Sequence, residues 1–230
     1  MARHRLAALL TTGCGLSAVA AGWLLWGAPQ PGPADAGSLP AGVHSPTSHT
    51  TAASPPTRVR GPNGLDAAVV PVAALGDGAL ALPEDLRTGG WWALGAAAGS
   101  SEGTVLIAGH ADTRADGLGP FAALHRIPLD ARVEVTGADD QVRAYRLTAR
   151  RTYRREQLPT DLFAGDGPHR LVLVTCAGPY DRAVGRYQRN LVLYATPIEP
   201  NARVANEPPA LAYGNLSSGP NPARTRSGLG

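Results

Sequence analysis

The chain has 230 residues, a formal charge of +3, 28 glycines, 21 prolines and two cysteines. That is room for one sizeable domain, or two small ones if every part folds. The arginines are scattered through strand-like runs and turns with no basic block, which argues against a nucleic-acid footprint. Proline and glycine crowd towards both ends, so the capacity to bury a core lies in the centre.

Met1-Ala-Arg-His-Arg5 is a short basic start, and Leu6 to Ala28 follows without one charged residue, with Trp23 and Trp26 near its far end. About 20 apolar residues suffice to cross a bilayer as a helix. Basic residues before the span and tryptophans after it predict a cytoplasmic start and an outer remainder. Residues 1–28 are therefore expected to be an uncleaved membrane anchor, with the rest of the chain extracellular. A cleaved signal peptide is the competing reading, because an apolar core of about 7 to 15 residues is enough for one, and Ala18, Ala20 and Ala21 suit a cleavage site. Residues 29–62 are Pro, Gly, Ser, Thr and Ala with few large apolar side chains, and they read as an extended stalk. His44 and His49 within it read as solvated spacer residues. Residues 199–230 have the same character and are expected to be a disordered tail.

The centre, 63–198, alternates short apolar runs with Gly and Asp turns. Strands are predicted over 69–75, 103–108, 132–136, 142–150, 169–175 and 190–195, with short helices near 118–125 and 157–163. Gly137-Ala-Asp-Asp140 between two alternating runs predicts a hairpin turn. Short strands spaced this way imply a mainly β sandwich or barrel.

Two of these strands end in chemistry. His169-Arg-Leu-Val-Leu-Val-Thr-Cys176 is an apolar run closing on a thiol, and Val105-Leu-Ile-Ala-Gly-His110 is another closing on an imidazole. Cys14 lies inside the apolar N-terminal stretch, so it shares no structural disulfide with Cys176, which is left as a free thiol. A lone strand cysteine often behaves as a small buried hydrophobe. Two strand ends side by side, however, bring thiol and imidazole together as an activated nucleophile requires. Asp112 either orients His110 or makes an ordinary turn. His125 and His169 read as surface or capping residues. A structural zinc site usually takes four Cys or His ligands at short spacing, which one cysteine and three scattered histidines do not supply.

In order along the chain, Leu106-Ile-Ala-Gly-His110, Phe121-Ala-Ala-Leu124, Leu173-Val-Thr-Cys176 and Gly185-Arg-Tyr-Gln-Arg-Asn190 leading into Leu191-Val-Leu-Tyr-Ala195 resemble the sortases, membrane-anchored cysteine transpeptidases of the Gram-positive surface. Gly90-Trp-Trp92, Leu158-Pro-Thr-Asp161 and Ala177-Gly-Pro-Tyr-Asp181 look most like the class F sortases of actinobacteria. The resemblance implies an eight-stranded β-barrel with one or two short helices and a His-Cys-Arg site without metal or organic cofactor. It also implies, as substrate, surface proteins carrying a C-terminal Leu-Pro-X-Thr-Gly-like sorting signal, and an amine acceptor such as a wall precursor. His110, Cys176 and Arg189 are the expected catalytic residues. Thr175 is expected to help position substrate. Arg186 and Arg182 are the other arginine candidates, and sliding the last strand into the family's register puts Asn190, not Arg189, at the arginine position. A thiol hydrolase acting on cell-wall peptides and a non-catalytic β binding domain are the competing functions. Papain-like hydrolases place the cysteine before the histidine, the reverse of the order here.

Overall fold

The structure is a computed structural model, and it describes residues 34–40, 52–76 and 79–198. The expected anchor, 1–28, and the expected tail, 199–230, lie outside the described residues, as does Cys14. Within the described residues no helix is long and apolar enough to cross a membrane.

The strands in chain order are β1 (Ala36–Gly37), β2 (Pro56–Arg60), β3 (Asp66–Val72), β4 (Thr88–Trp92), β5 (Thr104–Ala108), β6 (Asp112–Thr113), β7 (Gly117–Leu118), β8 (Arg132–Gly137), β9 (Val142–Arg154), β10 (Arg170–Asp181) and β11 (Arg186–Pro197). Eight of them run in the order β9-β11-β10-β5-β4-β3-β2-β8, and the β8–β9 hairpin closes the ring into a barrel. β6 and β7 form a separate small hairpin. Closure gives each barrel strand a partner on both sides, which is how a small β domain disposes of its edges.

Alternation sorts side chains between two apolar layers. Val105, Ile107, Leu171, Leu173, Leu191 and Leu193 fill the barrel with Val59, Val133, Tyr145 and Leu147. The intervening Leu106, Val172, Val174, Val192 and Tyr194 point outwards, where Leu158, Leu162 and Phe163 cover them from one side and Leu80 and Leu82 from another. Strands buried on both faces read as continuous apolar runs, and β5, β10 and β11 do.

Several elements differ from expectation. β2 lies in the segment assigned to the stalk, yet Val59 is fully buried and the strand pairs with both β3 and β8. Farther back, Ala36 and Gly37 pair with Arg150 and Ala149 of β9. Arg151 Nη1 donates to Ala36 O at 2.6 Å, and Thr152 N donates to Asp35 Oδ1 at 2.7 Å. The stalk segment is thus partly docked. The two predicted helices are short 3₁₀ turns, over Pro120–His125 and over Arg155–Gln157 and Thr160–Phe163. The hairpin turn at Gly137 to Asp140 is as expected, with Asp140 at φ 58°.

Candidate active site

β5 and β10 run parallel and side by side, with Ala108 level with Val174. Gly109 N donates to Val174 O at 3.0 Å, and the Thr175 hydroxyl donates to Gly109 O at 2.8 Å. These two bonds hold the ends of the strands together, so His110 and Cys176 emerge next to each other at the barrel rim. Val172 and Val174 before Cys176, like Leu106 and Ala108 on β5, belong to the outer layer, so Cys176 continues the outer face of β10, while His110 follows two residues after β5 has ended. Among the described residues neither the imidazole of His110 nor the thiol of Cys176 has a hydrogen-bond or salt-bridge partner.

Thr175 is 2% exposed, and its hydroxyl is taken by Gly109 O. It joins the two strands from within the barrel wall and is not among the residues that line the cleft beside Cys176.

The arginine expectation changes most. Pairing of β10 with β11 sets Cys176 level with Asn190 and Ala177 level with Arg189. Residues directly opposite in an antiparallel pair share a face. Asn190 therefore stands on the outer face with Cys176, whereas Arg189 leaves on the face of Ala177, which is buried in the barrel core. The Arg189 stem lies against Gly178, where a Cβ would come within 3.1 Å of its Cδ. Its head borders a neighbouring cleft of about 380 Å³ shared with Arg154, Glu156, Asp181 and Arg186. Arg182 and Arg186 are exposed.

Cys176 opens instead on a cleft of about 320 Å³, walled by Ala111, Leu118, Ala122, His125 and Tyr187. Burial pushes its thiol above the ordinary value, the positive charge of Arg155 pulls it down, and the negative charge of Asp112 pushes it up. The guanidinium that acts on the thiol is thus Arg155, which comes just after the end of β9, far in the chain from Arg182, Arg186 and Arg189. A cation beside a thiol favours the thiolate, so here burial outweighs it.

Three further residues complete the surroundings. Tyr187 Oη donates to Asp112 Oδ2 at 2.6 Å, linking β11 to the β6–β7 hairpin. That hydrogen bond pushes the Tyr187 phenol up to about 12, so it stays protonated. Asp112 is occupied by this tyrosine and not by His110. His125 Nε2 lies 3.0 Å from Cys176 O. Val174 O, two residues earlier on the same edge, is met by Gly109, but β5 has ended before Cys176, and His125 occupies the place of the missing strand donor. His169 is half-buried and engaged at both nitrogens: Nδ1 lies 3.2 Å from Gly103 O and Nε2 3.1 Å from Tyr145 Oη. Among the described residues no three His, Cys, Asp or Glu side chains gather to hold a metal ion.

A family profile for the sortase domain matches residues 63–198. Among solved structures, the SrtA sortase from Actinomyces oris is 15% identical with a TM-score of 0.50, covering 66% of this chain and 87% of that one. The sortase C1 of Streptococcus agalactiae is 19% identical with a TM-score of 0.47, covering 62% of this chain and 66% of that one. Sortase A from Corynebacterium diphtheriae is 16% identical with a TM-score of 0.47, covering 66% of both chains. At such identities the Actinomyces likeness speaks for the fold, a closed β-barrel with few helices. No curated protein matches the chain significantly.

Proposed function

Since the chain belongs to the sortase family, we propose that it is a membrane-anchored, class F-like cysteine transpeptidase working on the outer surface of an actinobacterial cell. The observation that supports this reading is the parallel pairing of β5 and β10, tied by the bonds through Gly109, which brings the chain leading to His110 alongside the strand end that carries Cys176.

The reaction divides between these two residues. The Cys176 thiolate adds to the carbonyl carbon of the scissile peptide bond, and an oxyanion forms as the C–S bond is made. His110, as imidazolium, protonates the departing amine, the C–N bond breaks, and a thioester remains on Cys176. An incoming amine then adds to the thioester, gives its proton to neutral His110, and releases the thiolate. Burial raises the thiol, and the positive charge of Arg155 works against it in favour of the thiolate that attacks. The substrate class is a Leu-Pro-X-Thr-Gly-like sorting signal on a surface protein, and the acceptor is an amine such as that of a wall precursor.

Intact-mass measurement tests the proposal. The chain is incubated with Leu-Pro-X-Thr-Gly peptides, with and without an amine acceptor, beside Cys176→Ala. The expected result is a thioester adduct on the wild type alone, released faster by the amine. An adduct indifferent to amine would make the protein a thiol hydrolase. No adduct from any peptide, on a protein whose Cys176 alkylates normally, would overturn the transpeptidase reading.

A further inference from the structure

We propose that Asn190 is the oxyanion donor of this site, its side-chain amide hydrogen-bonding the tetrahedral oxygen that forms when Cys176 is acylated. The inference rests on the proposed acyl chemistry, but not on which peptide is the substrate.

Register comes first. Cys176 and Asn190 are direct partners in the β10–β11 ladder, and directly opposed residues in an antiparallel pair have Cβ atoms only about 4.5–5.5 Å apart. Parity agrees from both strands, since Val174 and Val192, the neighbouring outward positions on each strand, are direct partners and belong to the same outer layer. Cys176 and Asn190 thus share the outer face of β10 and β11, and His110 follows the end of β5 on the other side of β10. Acid–base group and amide flank the nucleophile from opposite sides, which is where a proton carrier and an oxyanion donor are each needed.

Asn190 also has the chemistry and the freedom for the part. A side-chain amide is an established type of oxyanion donor, and a neutral one leaves the thiol to be governed by burial and by the flanking charges. The residue is half-buried, yet its side chain has no partner among the described residues. Arg189 is set one residue along and faces the other way, with its stem on Gly178. Arg155 acts on the thiol through its charge, which is a separate effect from a directed hydrogen bond to the oxyanion.

The test compares two reactions of the same sulfur in the full chain, read by peptide mass at Cys176. Acetylation by p-nitrophenyl acetate passes through a tetrahedral oxyanion, whereas alkylation by iodoacetamide is a displacement that forms none. Asn190→Ala and the similarly sized Asn190→Leu are expected to slow acetylation about 10-fold or more while alkylation stays within about twofold. Acylation by a reactive sorting peptide is expected to fall about 100-fold, the usual range for losing one such donor. Asn190→Gln, which keeps the amide, is expected to recover part of the loss, and Arg189→Ala to acetylate within about twofold of wild type.

Unchanged acetylation in both Asn190 variants would overturn the assignment, as would an equal fall in alkylation, which would mark a merely structural role. A loss confined to Arg189→Ala would return the donor to that residue. A wild type that ignores every sorting peptide but shows the split with p-nitrophenyl acetate would defeat the transpeptidase reading and leave the Asn190 assignment standing.

Discussion

Thr175 is placed to fix the approach of a neighbouring side chain through the backbone. Its buried hydroxyl fixes Gly109 O, and His110 is the next residue. Thr175→Val keeps the shape and leaves that carbonyl without its partner, so it should lower stability by about 1–2 kcal/mol, read from the denaturant midpoint. It should also slow acylation of Cys176 more than alkylation, since the imidazole loses its fixed approach while the thiol keeps its surroundings. At this scale the positions of His110 and Cys176 at the ends of neighbouring strands were legible because each ends an apolar run. The residue opposite Cys176 was not. Leu191-Val-Leu-Tyr-Ala195 is buried on both faces, so hydropathy cannot tell which of Arg189 and Asn190 shares the face of Cys176. Only pairing register decides it. Arg155 was missed for another reason: β9 runs four residues past its predicted end and delivers the guanidinium from a different part of the chain.

Among the elements, those with clean alternation or a turn signal were read nearly in place, as with β5, β8 and their neighbouring hairpin turn. The ones missed lack an intrinsic signature. β4 contains Gly89-Gly90, poor strand formers, and is a strand because β3 and β5 flank it. β2 offers a single apolar core residue between arginines, and partners on both sides secure it. β10 and β11 were cut short at polar residues, though they continue as a projecting hairpin to Asp181 and Arg186. β1 depends on Gly37, at φ +75°, where a Cβ would sit 2.0 Å from Thr148 O. A non-glycine residue in the left-handed region costs about 1–2 kcal/mol before any clash. Gly37→Ala should therefore release β1: amide exchange at Thr152, whose N–H donates to Asp35, should accelerate while exchange in β10 is unchanged.

For the molecule as a whole, a mainly β class followed from the spacing of runs and turns, whereas barrel closure required long-range pairings that no local pattern encodes, β2 with β8 above all. The wall also stores a response to acid. Burial lowers the pKa of His169, only partly offset by hydrogen bonds to the backbone of Glu102 and Gly103. The folded state thus binds this proton less readily than the unfolded chain does. The contribution is fully present above the unfolded value of about 6.5 and is lost as pH falls through the lower folded value. Thermal melts should show decreasing stability on acidification across that window, and His169→Gln should flatten the trend. The docking of Ala36–Gly37 has a further consequence. β8 and the residues just before it cover only the first part of β9, through Leu147, and past it the same edge would present bare N–H and C=O groups, a template for a strand of another molecule. A two-residue strap is too short to be such a template itself, so this small contact guards the domain against edge-to-edge self-association.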